Sequence, residues 1–213
     1  MPLYTADALI LRTYKLGESD RLVVFLTRDR GKKRGVAKNA RQSRRRFGGA
    51  LESMTTGRVE YMERERRELV HVHYVEVMRS PLSAADPEAM SHVGYFAELI
   101  DEWAQEADPN ETLYRLGASM VDAMAEGVPI DPLARYFEHW LLRLQGVYAA
   151  DAGLSHEAQA FLAAARTCSP FRLGELGVSP GALRELEAVH RTQIAMHLEK
   201  DLKSARVLKE MRR

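Results

Sequence analysis

Residues 31–49, GKKRGVAKNARQSRRRFGG, carry eight Lys or Arg side chains and no acid. Cations at this density suit a polyanion. Each phosphate they neutralise releases condensed counterions, which steepens the log–log salt dependence of binding by about 0.7–0.9. Lys32, Lys33 and Arg34 follow a short turn, RDRG, and Lys38 comes next. Arg41, Arg44, Arg45 and Arg46 cluster in KNARQSRRR, where Arg41, Arg44 and Arg45 share a face if the segment makes a helical turn or tracks a backbone. The plainer alternative is a solvated loop or an ion-pair network, and with no acid in 19 residues such a network cannot be local. We therefore assign these cations to the phosphates of a nucleic acid. Nothing resembles a helix aiming Asn or Gln at adenine, so binding is read as independent of base sequence. Tyr14, beside Lys15, and Phe47, beside Arg46, are the aromatics placed to stack on unpaired bases; aromatics in such places more often serve a core.

Other groups that could do chemistry lack the partners it needs. HVHY puts His71 and His73 on one face of a strand, a chelating spacing, with no third ligand near and partial exposure as the ordinary outcome. Glu138 and His139 adjoin on what reads as the polar side of an amphipathic helix, where exposure is expected rather than general-base work. Glu98, Asp101 and Glu102 form an acidic helical patch that would need carboxylates from elsewhere to hold a metal, so a solvated or partner-facing surface is expected. Gly31-Lys32 lacks the first glycine and the following Ser or Thr of a phosphate-binding P-loop. The single cysteine, Cys168, excludes an intrachain disulfide and a multi-thiolate zinc site and reads as a small buried hydrophobe. No catalytic residue, cofactor or metal is expected, and the chain reads as a non-enzyme. In HLEKDLKSARVLKEMRR, Leu198, Leu202 and Ala205 align on one helical face with Lys203, Arg206 and Lys209 outside it, a packing helix whose basic rim suits an acidic peptide.

The elements that must hold these residues fall into two kinds. Residues 1–80 contain 18 basic and 10 acidic side chains, residues 81–160 contain 3 and 14, and residues 161–213 contain 10 and 6, so the formal net charge of +1 conceals three blocks of alternating sign. The first points to a polyanion. The acidic block has three open roles: facing a basic partner, packing on the chain's own basic part, or keeping nucleic acid off the helices. ALILRTY, RLVVFLTRD, KRGVAKNA, the alternating stretch around Val59 and Tyr61, and LVHVHYVEV read as five short strands, a count that suits a small closed barrel; ERERRE, residues 63–68, reads as the tip of the last hairpin. Beyond SPLSAADPEAM the period changes. Val93, Phe96, Ile100 and Trp103, then Leu133, Phe137, Trp140, Leu144 and Val147, recur at helical spacing, and Ser179 before Pro180 reads as an N-cap. The fold class is α+β, a β-barrel domain over residues 1–80 and an all-α domain over 81–213. No apolar run approaches the roughly 18–20 residues that span a bilayer, and the start lacks the features of a secretory signal, so a cytoplasmic protein without membrane contact is expected.

Several stretches together resemble the bacterial recombination mediator family RecO. The likeness lies in the Gly-Glu-Ser-Asp turn at Gly17–Asp20, the Phe-Leu-Thr-x-x-x-Gly turn at Phe25–Gly31, the Ala-Lys-x-Ala-Arg segment at Ala37–Arg41 and the closing Lys-Ser-x-x-x-Leu helix at Lys203–Leu208. The resemblance implies an N-terminal OB-fold followed by a helical domain in a non-enzymatic repair factor. Such a factor binds single- and double-stranded DNA, anneals complementary strands, contacts the acidic tail of the single-strand-binding protein SSB, and works with RecR to load RecA on SSB-coated DNA at the nucleoid. Many members carry a four-cysteine zinc module; here the corresponding region, about 146–176, is shortened and holds only Cys168, so a metal-free protein is expected. Asn39 stands where a glycine is common and tolerates a left-handed backbone. The alternative from the residues alone is an RNA-binding OB-fold protein of translation or ribosome assembly; a nuclease lacks its carboxylates.

Overall fold

In the computed structural model, which describes residues 2–63, 68–83, 87–149, 153–199 and 202–211, five strands close on themselves. They are β1 (Leu3–Leu16), β2 (Asp20–Thr27), β3 (Gly31–Ala37), β4 (Thr56–Met62) and β5 (Val70–Arg79), joined in the order β1-β2-β3-β5-β4 with β4 returning to β1. Every pairing is antiparallel except β3 with β5. This is the OB-fold. Arg64–Arg67, in the expected ERERRE hairpin tip, lie outside the described residues.

β1 and β2 contain continuous apolar runs because both of their faces are covered, where a half-solvated strand would alternate. Ala8, Ile10, Val23 and Phe25 fill the barrel with Val59, Tyr61, Val70, Val72 and Val75, and Phe47, Ala50 and Leu51 join that interior. Leu9, Leu11, Val24 and Leu26 belong instead to one cluster with the helices. Burying each such leucine contributes about 2 kcal/mol, so the barrel and the helices share a core.

The helices are α1 (Pro87–Trp103), α2 (Glu111–Ala125), α3 (Ile130–Leu144), α4 (His156–Ala165), α5 (Pro180–Leu198) and α6 (Lys203–Met211). Asn110 caps α2 through the Leu113 N–H, and Ser179 caps α5 through the Ala182 N–H, with Pro180 at the first turn as the spacing implied. Phe96 and Ile100 of α1 and Phe137 and Leu141 of α3 are fully buried between them. α2 lies so close to β1 that a Cβ on Gly117 would stand 2.6 Å from Leu9 Cδ2.

Two expected continuities break. The apolar period from Leu133 outlasts α3, which ends at Leu144; the chain turns at Gly146, and Val147 packs on the core from beyond the helix. The closing segment is two helices, since Glu199 caps α5 in the left-handed conformation. Among the described residues no helix is long and apolar enough to cross a membrane.

Candidate nucleic-acid interface

The basic run divides where β3 ends. Its first part is held by acids that come from far along the chain. Gly31 has φ +69°, and a Cβ there would lie 2.4 Å from the Asp108 backbone. That close approach lets Lys32 bridge to the loop after α1: its N–H donates to Gln105 O at 3.1 Å and its carbonyl accepts from Ala107 N at 3.1 Å. Lys32 Nζ then reaches Asp101 Oδ1 at 3.1 Å and the Asp101 carbonyl at 2.6 Å. Lys33 Nζ pairs with Glu63 Oε1 at 2.8 Å, and Arg34 approaches Glu106 at 4.0 Å. Lys32 and Lys33 are thus structural, which corrects their assignment to phosphate; Arg34 stays half-exposed.

The same acids answer the question of the negative block. Arg12 on β1 reaches Asp101 at 2.8 Å, Glu98 at 3.5 Å and Glu102 at 3.7 Å, Arg28 pairs with Glu111 at 2.6 Å, and Arg79 faces Asp122 and Glu126 at 3.7 and 3.6 Å. The acidic helical patch, expected to meet solvent or a partner, faces the chain's own barrel. Burial opposes the charge on Arg12, yet Asp101, the Tyr14 hydroxyl and Glu98 outweigh it and raise its pKa.

The second part of the run is different. Residues 38–55 form successive turns that link β3 to β4, and Asn39 takes the left-handed conformation, φ 55°, as its resemblance to a glycine position implied. Its N–H donates to Asp20 Oδ1 at 2.8 Å, Arg41 N donates to Ser19 O at 3.0 Å, and Arg41 Nη1 donates to Glu18 O at 2.6 Å. The connection is thereby tied to the β1–β2 turn. Lys15 and Arg21, paired across β1 and β2, flank that turn. Lys38, Arg41, Arg44 and Arg45 are exposed, and Lys15, Arg21, Arg44 and Arg45 have no ion pair among the described residues. The Asn39 N–H chiefly, helped by Ser19, Lys38 and His71, holds the Asp20 carboxyl below its usual range. Arg46 is committed: Nε donates to Ser43 Oγ at 3.0 Å, Nη2 to Lys38 O at 2.9 Å, and the guanidinium lies 5.0 Å over the Phe47 ring.

Of the two stacking candidates, Tyr14 is 47% exposed and Phe47 only 1%. Phe47 closes the barrel interior and cannot meet a base, a correction that follows from the connection folding over the barrel end. The aromatic that sequence reasoning missed is Tyr74 on β5, which lines a cleft with Ser43, Arg45 and Arg46. The alternation of HVHY marks Tyr74 as outward-facing only once the bulge between Glu60 and Tyr61 is known. His71 and His73 lie edge to face, ring centres 4.4 Å apart.

The model for the N-terminal part of recombination protein O matches residues 1–81, and that for its C-terminal part matches residues 84–150. DNA repair protein RecO of Geobacter metallireducens is 30% identical over an alignment covering 96% of each chain. The chain belongs to the RecO family of DNA repair proteins. Its RecO relatives in Koribacter versatilis and Anaeromyxobacter sp. (strain K) are 43% and 39% identical over 68% and 65% of this chain, but over only 59% and 55% of their own lengths. The chain therefore spans little more than half the length of those two relatives. The Geobacter alignment has 238 positions against 213 residues here, so RecO positions present there are missing from this chain.

In this RecO-family chain the closing Lys-Ser segment docks α6. Glu98 accepts from the Ser204 N–H at 2.7 Å, from the Ser204 hydroxyl and from the Lys203 N–H at 3.3 Å. Burial alone would push the Glu98 carboxyl up; these donors and Arg12 hold it below the ordinary range. Lys203 and Arg206 are exposed, and the Lys209 side chain lies outside the described set. Glu138 and His139, expected in solvent, are buried. Arg135 at 3.1 Å, His190 at 3.1 Å and the Tyr95 hydroxyl at 2.8 Å outweigh the burial penalty on Glu138 and keep its carboxyl low. Burial, then repulsion from His190, lowers His139 to about 3, so it is neutral. Cys168 is half-buried rather than buried, and among the described residues no group of three or more His, Cys, Asp or Glu could hold a metal ion.

Proposed function

We propose that this chain is a non-enzymatic DNA repair and recombination mediator of the bacterial cytoplasm and nucleoid. It binds single- and double-stranded DNA without reading bases, anneals complementary strands, and works with RecR to load RecA on SSB-coated DNA. The observation that carries this reading is the cluster of cations Lys15, Arg21, Lys38, Arg41, Arg44 and Arg45 gathered at one end of an OB barrel, of which Lys15, Arg21, Arg44 and Arg45 have no ion pair among the described residues. Phosphates of two strands held there repel each other less, which is what annealing requires. Residues 1–80 and 81–213 act as two domains on a fixed interface, with the barrel's outer leucines as part of the helical core.

The test is annealing of complementary oligonucleotides by the full chain without nucleotide, with a single-stranded RNA of the same sequence as competitor. Acceleration lost in Lys38→Ala/Arg44→Ala/Arg45→Ala is expected. No acceleration, or RNA competing as well as DNA, would count against the reading. The SSB tail is assigned to the helical part near Lys203 and Arg206, and Lys203→Ala/Arg206→Ala should weaken a labelled acidic tail peptide. An unchanged affinity would sink that assignment.

A further inference from the structure

The β3–β5 ladder holds three residue pairs, Gly35–Val70, Val36–His71 and Ala37–Val72, and stops there. β5 continues to Arg79 with β4 as its partner, so beyond Val72 the β3–β4 connection stands beside it where a strand would otherwise be. Between the two lies an open cleft of about 560 Å³ lined by Ser43, Arg45, Arg46 and Tyr74. Tyr74 is 39% exposed and rises from β5. The Arg46 guanidinium is fixed by Ser43 Oγ and the Lys38 carbonyl, while Arg45 is exposed and without an ion pair among the described residues.

A planar ring beside a free guanidinium, in a cleft large enough for one nucleotide, matches what an unpaired base needs. The base stacks on the aromatic face, the Arg45 guanidinium covers its other side, and the neighbouring Arg44, exposed and without an ion pair among the described residues, takes its phosphate. We propose that Tyr74 and Arg45 receive one unpaired DNA base, making this cleft the point at which the barrel tells a single strand from a duplex. A duplex keeps its bases stacked internally and would have to flip one out, at a cost of a few kcal/mol. The inference rests on the DNA-binding reading above and adds to it a subsite that the phosphate contacts do not provide.

The experiment compares the full-length chain with Tyr74→Ala and Tyr74→Phe, using fluorescence anisotropy on a labelled oligo-dT and on a duplex of equal length. Tyr74→Ala should weaken oligo-dT by about 10-fold or more while leaving duplex affinity unchanged, and Tyr74→Phe should bind as wild type because it keeps the ring. In Tyr74→Trp the added indole emission should be quenched by oligo-dT and not by duplex. Unchanged oligo-dT affinity in Tyr74→Ala, equal losses on both ligands, or an unquenched indole would overturn the subsite. A wild-type chain that binds neither ligand would overturn the DNA reading itself. Loss of binding in the lysine and arginine variant with no effect at Tyr74 would remove the subsite alone.

Discussion

Lys32 and Lys33 stand within 13 residues of Arg44 and Arg45 in one acid-free run, yet the two pairs do opposite work. The lysines lie on β3, where the barrel wall faces α1 and the end of β4, and their ammonium groups meet Asp101 and Glu63. The arginines lie on the connection that folds over the barrel end, and no carboxylate pairs with them among the described residues. A cation's role here is set by what the fold brings to it. Lys32 holds the barrel against α1 and Lys33 ties β3 to the end of β4, while the two arginines keep their charge unpaired among the described residues.

The largest effect should come from Asp101→Ala. It strips the nearest carboxylate from both Arg12 and Lys32, whose side chains are only 26% and 15% exposed. A loss of about 2–3 kcal/mol in unfolding free energy is expected, with the salt slope of DNA binding unchanged, as read by denaturant melts and binding titrations. A normal melt with an altered slope would erase the distinction between the two parts. Next comes Lys38→Ala/Arg44→Ala/Arg45→Ala, which should flatten the single-strand slope by about 2, at about 0.7 per contact. Its stability should stay within about 0.5 kcal/mol of wild type.

Acid should separate the parts in a third way. The Glu98 carboxyl lies below its ordinary 4.5 when folded, so the stability it supplies is complete above pH 4.5 and is lost as pH falls through the lower folded value. Thermal melts between pH 6 and pH 3 should show that loss in wild type and a flatter profile in Glu98→Gln, which starts about 1 kcal/mol lower. Identical profiles would remove Glu98 as the link from Arg12 to α6. The smallest effect belongs to Lys33→Ala, less than about 1 kcal/mol on stability with an unaltered slope, because its pair with Glu63 is a single partly exposed one.

The OB barrel and the helical region were legible because their signals are local. Strand runs, turn residues, the Ser179 cap and the helical period of Phe96 and Ile100 each report on neighbours a few residues away. Even the double-sided burial of β1 and β2 was written in ALIL and LVVFL as runs without alternation. The acidic patch on α1 was also visible, but its target was not. Asp101 finds Lys32 only after the β2–β3 turn closes on the loop past α1, and sequence distance carries no trace of that.

The candidate site was legible as a run of cations, but not which of them stay unpaired. The sequence alone determined that this chain concentrates eight cations in a short acid-free stretch, since no packing can change the number of lysines and arginines between Gly31 and Gly49. Which of those cations remain available was decided by tertiary structure, because neutralisation acts over a few ångströms of space and draws its carboxylates from residues 63, 101 and 106. The same holds for the aromatics. Phe47 adjoins the arginines in sequence and is sealed in the barrel, while Tyr74, 29 positions from Arg45, shares a cleft with it. Chain connectivity sets what kinds of group are present; the closing of the barrel determines which of them face one another.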